Sequence, residues 1–582
     1  MTNSFYKKIA SSFLLLTAVA LLDACKPESL VPDETSIEQA TDAKGNNAFT
    51  RKQIDDFMVS EAEKAKGTFN WATATDEMIW SAIKRSEDVL SVGYKIKSFD
   101  GKDLTKINLK EKEWQEARQK ILTVVFDEEK KFDKNLKTSA DLILFPESIL
   151  PNLDLQVSQL STIKKLRETG LITYLEPVGY RPESEAAKVP IDPTTPIDVY
   201  TDKGANARVS ALAIGFGCGD ANRPTGGLMN GSDYIQTSPN NSKMSWNHVP
   251  HGLFAAWPRG ATGSGIKMAY FDTGLSDNQS LMLSNFWAGT QNRTLDKLVT
   301  LPKLTRFSAA ETPNDPCGHG TQAASVGTAP RAGTSMFGIA YEANLVTIRV
   351  AVDVLFTTPR EFSGVATAYQ NVSQWADVKI ISMSMGIAPI PYYSFANGQW
   401  QFIVLYNTNI ANAVRLAHQS GKMIFGAAGT LPTGGLNVTI FPASMPEVIA
   451  VTGVKYDEIG NLVNASSYQY PATCTSCFYS TKVDFGVVMQ KNIGGLRGEA
   501  KNPLCLTRTN NVEPATFGGS SCATASMAAM AAVVWSRYPN ATRTEIFDKL
   551  KRHASHNNNR HSRIGWGLVN MDRATRSALV TD

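Results

Sequence analysis

Residues 518–535 read GGSSCATASMAAMAAVVW, two glycines and two serines followed by a long run of small apolar residues. The run predicts a buried helix, and the glycines allow a sharp turn into it. Ser521 then lies at the N-terminus of this helix, where the helix dipole favours negative charge developing on a nucleophile. The stretch alone fits a Gly-Ser loop before a structural helix equally well, so its function depends on other segments.

Two other segments carry the side chains that a serine nucleophile needs. Residues 266–277 read IKMAYFDTGLSD, and their apolar run predicts a buried strand that ends at Asp272. Residues 316–327 read PCGHGTQAASVG, with His319 between two glycines at the start of a small-residue helix. A carboxylate at a strand end can orient a histidine, which can then accept the serine proton. Each segment alone is weak, because Asp-Thr-Gly also occurs in aspartic peptidases and a lone histidine is usually structural.

The order of Asp272, His319 and Ser521 along the chain is one of three orders in which this triad arises on unrelated folds. In this order and sequence context, the chain resembles the subtilisin-like serine peptidases. The resemblance implies that Ser521 attacks a peptide carbonyl, His319 takes and returns the proton, and Asp272 orients the imidazole. It extends from about residue 243 to residue 578, and further matching segments are 338–350, 376–386, 423–429, 441–454 and 565–574.

The resemblance also implies a fold and a substrate cleft. Residues 243–582 are expected to form an α/β domain: a mostly parallel sheet with helices on both faces and the triad at the carboxyl ends of the strands. An extended protein or peptide substrate is expected beside the strand that ends near residue 384, with an apolar preference. The cleft residues implied are Ser384, Met385, Gly386, Ala428 and Gly429.

Thr430 departs from the family's pattern, in which an asparagine at this position donates a hydrogen bond to the oxyanion. Losing one such donor costs about 10²–10³ in turnover. A threonine hydroxyl can still donate, the Ser521 N–H remains, and Asn437 could substitute if its loop folds inward. We therefore predict an active serine endopeptidase. The alternatives are a catalytically weak binding or scaffold protein with a peptidase fold, and an enzyme that acts on esters.

Two regions precede the expected catalytic domain. Residues 51–180 are rich in charged residues and predict a small α+β domain, whose end at 153–180 resembles the propeptide domains that fold and then inhibit subtilisins. Residues 181–242 carry several prolines without apolar periodicity and predict a linker and processing region. The resemblance implies a self-processing zymogen inhibited by its own propeptide. An unrelated binding domain is the alternative.

The first residues predict export. Residues 1–24 carry Lys7 and Lys8 before an apolar stretch too short to span a membrane, as in a signal peptide. Residues 22–25, Leu-Asp-Ala-Cys, resemble a bacterial lipoprotein cleavage box, so Cys25 is predicted to carry a lipid and residues 25–50 to form a tether. An ordinary signal peptide is the alternative. We expect an extracytoplasmic, membrane-anchored protein whose catalytic domain is released by processing unless the halves stay bound.

The other six cysteines allow 15 pairings, and the sequence does not choose among them. Cys474 and Cys477 favour a loop clasp or a pair with Cys505. Cys522 is expected to be a small buried residue of the nucleophile helix. A bridge at Cys317 would brace the loop that holds His319.

The net charge and the possible metal ligands say little more about function. The net charge is +4 over 582 residues, so nothing indicates a nucleic-acid partner. His553, His556 and His561 lack the spacing of a metal site and predict a solvated loop. No cofactor is expected to be required. The resemblance makes structural calcium possible, but no loop is distinctive enough to locate it.

Overall fold

The computed structural model describes most of the chain. The described ranges are residues 47–145, 149–182, 218, 225–238, 240–290, 292–305, 308–394, 397–431, 434–456, 473–492, 500–509 and 513–576. The predicted signal peptide, Cys25 with its tether up to residue 46, and most of the predicted processing region lie outside these ranges. None of the helices within them is both long and apolar enough to cross a bilayer.

Residues 47–182 fold as a small α+β domain. Strand β2 lies between β3 and β4 in an antiparallel sheet, and all of its residues are therefore buried. The first helix begins at a capping box formed by Thr50 and Gln53, which satisfies two N–H groups at its start. The elements are α1 (Arg51–Lys64), β1 (Thr68–Phe69), α2 (Asp76–Ile83), β2 (Val89–Tyr94), α3 (Lys112–Glu129), β3 (Asn152–Gln156), α4 (Leu160–Glu168) and β4 (Ile172–Pro177).

The larger domain contains an eight-stranded sheet with the order β16-β15-β14-β13-β10-β7-β9-β8. All neighbouring strands are parallel except β15 and β16, so the expected mostly parallel α/β sheet is confirmed. The strands are β7 (Lys267–Asp272), β8 (Leu295–Val299), β9 (Asn344–Arg349), β10 (Val378–Met383), β13 (Met423–Ala427), β14 (Ile449–Tyr456), β15 (Phe485–Asn492) and β16 (Ala500–Lys501).

Helices and smaller sheets surround this sheet. The helices are α5 (Leu253–Ala256), α6 (His319–Thr328), α7 (Pro359–Ser373), α8 (Thr408–Gln419), α9 (Gly519–Arg537), α10 (Arg543–Arg552) and α11 (Met571–Arg576). Hairpins are formed by β5 (Tyr234–Thr237) with β6 (Ser242–Ser245) and by β11 (Ile390–Ser394) with β12 (Gln399–Leu405). β17 (Leu504–Cys505) pairs with β18 (Ala515–Thr516) just before α9.

The sheet separates two large apolar cores, because successive side chains of a strand point to opposite faces, and a smaller apolar cluster forms around Trp246. On β7, Phe271 packs with Tyr369 of α7 on one side, while Tyr270 lies in the other core with α9. The small residues of α9 let it approach α6 and the strands closely. A methyl group added at Gly327 of α6 would lie 1.8 Å from the Tyr270 hydroxyl and 3.6 Å from Ala529 Cβ. The Ala-rich sequence of α9 therefore reflects a tightly packed interior.

The N-terminal domain packs on α7 and α8. The Glu176 carboxylate, at the end of β4, accepts a hydrogen bond of 2.8 Å from the Thr408 N–H at the start of α8. Burial raises the pKa of Glu176 to about 8, although this hydrogen bond favours the charged form. The Gln370 side chain of α7 accepts from the N–H groups of Ile149 and Leu150, each at 2.8 Å. Residues of both domains contribute to one of the two cores.

The last described residues of the N-terminal domain reach the loop between β9 and α7. The Arg181 guanidinium donates to the Phe356 carbonyl at 2.8 Å. A two-residue parallel pairing of β1 with β12 adds a second backbone contact between the domains. Residues 179–181 therefore lie beside residues 356–359.

Candidate active site

Asp272 and His319 meet where β7 ends and α6 begins. The Asp272 Oδ1 lies 2.8 Å from His319 Nδ1, and both residues are buried. The same oxygen accepts from the Thr273 N–H at 2.8 Å, which fixes the orientation of the carboxylate. An imidazole held through Nδ1 presents Nε2 as the atom that can exchange a proton.

Asp315 holds the start of α6, and sequence analysis did not single it out. Its carboxylate accepts from the Gly318 N–H at 2.7 Å and from the Thr321 N–H at 2.8 Å. It also accepts from the Thr273 hydroxyl at 2.8 Å, which ties the histidine helix to the strand that carries Asp272. An aspartate just before a predicted helix is an N-cap signal that could have identified it. We regard it as a positioning residue.

The charge around His319 favours its protonated form. Burial alone lowers the pKa of the imidazole, because it penalises the charged form. The neighbouring Asp272 carboxylate, through its charge and its hydrogen bond, raises the pKa, and the charges of Asp315 and Asp353 add to this. The net result is a pKa above the ordinary value of 6.5.

Ser521 is half-buried in the first turn of α9, just after a residue that contacts the histidine. The ring of Phe517, four residues earlier, meets the His319 ring edge-on at 5.1 Å between centroids. The Ser521 hydroxyl donates to the Ser384 carbonyl at 3.2 Å, and the Ser384 hydroxyl donates to the Ser521 carbonyl at 2.9 Å. In this structure the serine proton is therefore directed to Ser384 rather than to His319.

Thr430 follows β13 and lies against the start of α9. Its Oγ1 accepts from the Ser520 N–H at 2.9 Å and lies 2.8 Å from the Ser520 hydroxyl. Gly519 has a φ of +73°, and a Cβ there would lie 2.8 Å from Thr430 Oγ1, so a glycine is needed for this approach. The first N–H groups of a helix have no partner inside it, which leaves the Ser521 N–H beside the Thr430 hydroxyl.

Asn437 is the residue that could substitute for the oxyanion asparagine if its loop folded inward. Asn437 is exposed, and its backbone forms a bridge with Tyr479. Thr430, by contrast, hydrogen-bonds directly to Ser520, the residue before Ser521.

The predicted cleft residues lie at the ends of two adjacent strands. Ser384, Met385 and Gly386 follow β10, and Ala428 and Gly429 follow β13. Met385 is only 2% exposed and belongs to the core rather than to an open surface.

The backbone of Gly386 is already paired in this structure. Its N–H donates to the Val354 carbonyl at 3.0 Å, and its carbonyl accepts from the Phe356 N–H at 3.2 Å. A substrate strand that pairs with Gly386 must therefore displace residues 354–356, the segment that Arg181 contacts.

Two disulfides lie close to the site. Cys218 pairs with Cys317, two residues before His319, so a bridge braces the histidine loop as the sequence suggested. Cys474 pairs with Cys477, which confirms the loop clasp; Cys505 and Cys522 are buried and reduced. Within the described ranges, the potential metal-ligand group found is Cys218, Cys317 and Asp353, and a disulfide joins its two cysteines.

A parallel sheet with an Asp–His pair at its strand ends, and a serine at a helix N-terminus beside them, is the arrangement that serine hydrolases use. Residues 263–567, just over half of the chain, match the subtilase family. The chain belongs to the subtilase family of serine peptidases, and the family resemblance read from the sequence is confirmed.

Individual relatives are distant. The chain is 25% identical over 321 residues to the thermostable alkaline protease of Halalkalibacterium halodurans, covering 55% of this chain and 70% of that protease. It is 26% identical over 340 residues to subtilisin E of Bacillus subtilis, covering 56% and 71%. Among solved structures, fervidolysin of Fervidobacterium pennivorans, a keratinolytic enzyme, aligns over 85% of this chain and 62% of its own, at 16% identity and a TM-score of 0.49.

Proposed function

We propose that this chain is a serine endopeptidase that hydrolyses peptide bonds through Asp272, His319 and Ser521, and that it is made as a self-processing zymogen. The observation that carries the proposal is the buried 2.8 Å contact between Asp272 and His319, whose ring also meets Phe517, four residues before Ser521. Anchoring through Cys25 and export remain predictions from the sequence.

In the proposed reaction, the Ser521 hydroxyl turns from Ser384 toward His319. His319 Nε2 accepts the serine proton as the oxygen attacks the carbonyl, and Asp272 stabilises the imidazolium that forms. The imidazolium then protonates the leaving amine, and water hydrolyses the acyl-enzyme with the same residues. The Ser521 N–H and the Thr430 hydroxyl stabilise the oxyanion at the positive end of α9.

The N-terminal domain is proposed to act as the intramolecular inhibitor. Its contacts with α7 and α8, including the Glu176 bond to the Thr408 N–H, support a stable complex between the two domains. The Arg181 bond to Phe356 supports this role, because the Phe356 N–H donates to the Gly386 carbonyl in the proposed cleft. We therefore expect Ser521 to cleave the chain that follows this domain.

Labelling with a fluorophosphonate, together with the mass of the chain over time, tests the proposal. In protein lacking residues 1–25, we expect labelling and the loss of roughly 20 kDa, from a cut between the two domains. The matched Ser521→Ala variant should show neither change. An unlabelled, uncut wild-type chain that gives a cooperative unfolding transition would contradict the proposal and favour the binding or scaffold alternative.

The pH dependence of activity should reflect the raised pKa of His319. The neutral imidazole accepts the serine proton, so kcat/KM should fall as the pH drops through this pKa. We expect the acid limb of the profile to have its midpoint above the ordinary 6.5. The measurement is kcat/KM on a peptide anilide from about pH 5 to pH 9.

Two variants test whether the acid limb of the profile reports the titration of His319 rather than that of another group. Asp353→Asn removes one carboxylate that raises the pKa of His319, so it should move the limb to lower pH. Asp277→Asn changes an exposed carboxylate that pairs with Lys297 and should leave the limb in place. A wild-type midpoint at or below 6.5 would be inconsistent with the charge distribution around His319.

A further inference from the structure

The space between the two predicted walls of the cleft is filled by a side chain. One wall is the backbone that follows β10, up to Gly386, and the other is the backbone that follows β13, up to Gly429. Each wall hydrogen-bonds, directly or through the next residue, to the loop that carries Ser521. Ser384, in the first wall, exchanges hydrogen bonds with Ser521. Thr430, next to the second wall, accepts from the Ser520 N–H.

Ile440 lies between these walls. A methyl group built on Gly386 would lie 2.6 Å from Ile440 Cδ1 and 3.0 Å from its Cγ1, and one built on Gly429 would lie 3.0 Å from Ile440 Cγ2. The isoleucine side chain therefore extends from one glycine to the other. It is 4% exposed, so little room is left around it.

The backbone around Ile440 is fixed to both walls. Its N–H donates to the Ala428 carbonyl at 3.0 Å, and the Phe441 carbonyl accepts from the Ile387 N–H at 2.9 Å. These bonds hold residues 440–441 beneath the cleft, and a β-branched side chain has few rotamers by which to move aside.

Phe478 closes the far side of the second wall. Its N–H donates to the Gly429 carbonyl at 2.9 Å, and its Cδ2 would lie 2.2 Å from a methyl group on Gly429. The ring is 3% exposed, so it is packed in place rather than free to swing out. Together with Ile440 it removes the volume that a long or aromatic substrate side chain would need.

We infer that Ile440 sets the specificity of the site, restricting it to peptides in which the residue contributing the attacked carbonyl has a small side chain: glycine, alanine or serine. This inference rests on the proposed peptidase function and narrows its substrate class. A bulky side chain must either displace Ile440 or shift the carbonyl away from Ser521. Either change lowers transition-state binding, and a mismatch of one methylene alone is worth about 10–200-fold in kcat/KM.

The test uses the protein purified from the full chain and tetrapeptide anilides that differ only in the residue before the scissile bond. For the wild type, kcat/KM should be at least about tenfold higher with alanine than with phenylalanine at this position. Ile440→Ala should raise the phenylalanine-to-alanine ratio by about tenfold or more, and Ile440→Val should give an intermediate ratio. A wild type that prefers phenylalanine, or a ratio unchanged in Ile440→Ala, overturns the inference.

The control is Val448→Ala, which removes two apolar carbons beneath Gly426, a residue inside β13 and three positions before Gly429. It should leave the ratio unchanged; an equal shift there would assign the effect to general loosening and overturn the role of Ile440. If Ile440→Ala does not fold, the wild-type and Ile440→Val ratios decide the question. Fluorophosphonate labelling distinguishes the two proposals. Protein that is labelled but does not prefer alanine would contradict only the role of Ile440. Folded protein that is neither labelled nor active would contradict both that role and the proposed peptidase function.

Discussion

Asp272→Asn is expected to lower kcat by about 10⁴-fold while leaving the fold intact. The carboxylate accepts from His319 Nδ1 at 2.8 Å and thereby keeps Nε2 free to receive a proton. An asparagine can offer its amide N–H to Nδ1 instead, which places the imidazole proton on Nε2, where it blocks the transfer from Ser521. KM should change little, because Asp272 is buried behind the histidine. The measurement is kcat and KM on a peptide anilide.

The matched control is Asp277→Asn, five residues further on. Asp277 is exposed and pairs with Lys297, so its neutralisation should leave turnover within a factor of about two, as for most surface substitutions. Thermal unfolding of both variants should match that of the wild type closely enough to exclude loss of fold. Turnover of Asp272→Asn within tenfold of the wild type would falsify the proposed role of this carboxylate.

The catalytic candidates could be read from the sequence because each has a local signal. Asp272 ends an apolar run that predicts a buried strand, and Ser521 lies between glycines and a helix of small residues. Parallel strands bring their carboxyl ends to one edge of a sheet, so the residues that follow β7, β10 and β13 were expected to meet. The order of Asp272, His319 and Ser521 along the chain, together with the sequence around them, then indicated the subtilisin-like family.

Features that depend on contacts between distant loops could not be read in the same way. Ile440 is an ordinary apolar residue in the sequence, and only the packing between Gly386 and Gly429 shows that it fills the cleft. The pairing of Cys218 with Cys317 was one of many possible pairings, because sequence separation does not select a partner. The closure of residues 354–356 on Gly386 likewise depends on how two loops approach each other.

Thr430→Val is expected to lower kcat by about 10²–10³-fold with little change in KM. Valine keeps the shape of threonine but removes the hydroxyl beside the Ser521 N–H. The Thr430 Oγ1 accepts from the Ser520 N–H, and the Ser520 hydroxyl can donate to it as well, at 2.8 Å. In that arrangement the threonine proton is free to point at an oxyanion. The negative charge of the transition state favours this orientation of the hydroxyl. The hydroxyl can thus supply the second donor in place of an asparagine amide.

Thr439→Val is the control for this prediction, because Thr439 is buried in the same region and its hydroxyl bonds to Ser480 at 2.7 Å. It should lower the free energy of unfolding by about 1 kcal/mol, the net value of one hydrogen bond, without a comparable loss of turnover. Thr430→Val also loses the acceptor for the Ser520 N–H, so its unfolding free energy should fall by a similar amount. The two variants therefore match in stability and differ in kcat. If Thr430→Val keeps kcat within about threefold of the wild type, the hydroxyl contributes less than 1 kcal/mol to the transition state, and the Ser521 N–H at the start of α9 carries the oxyanion without it.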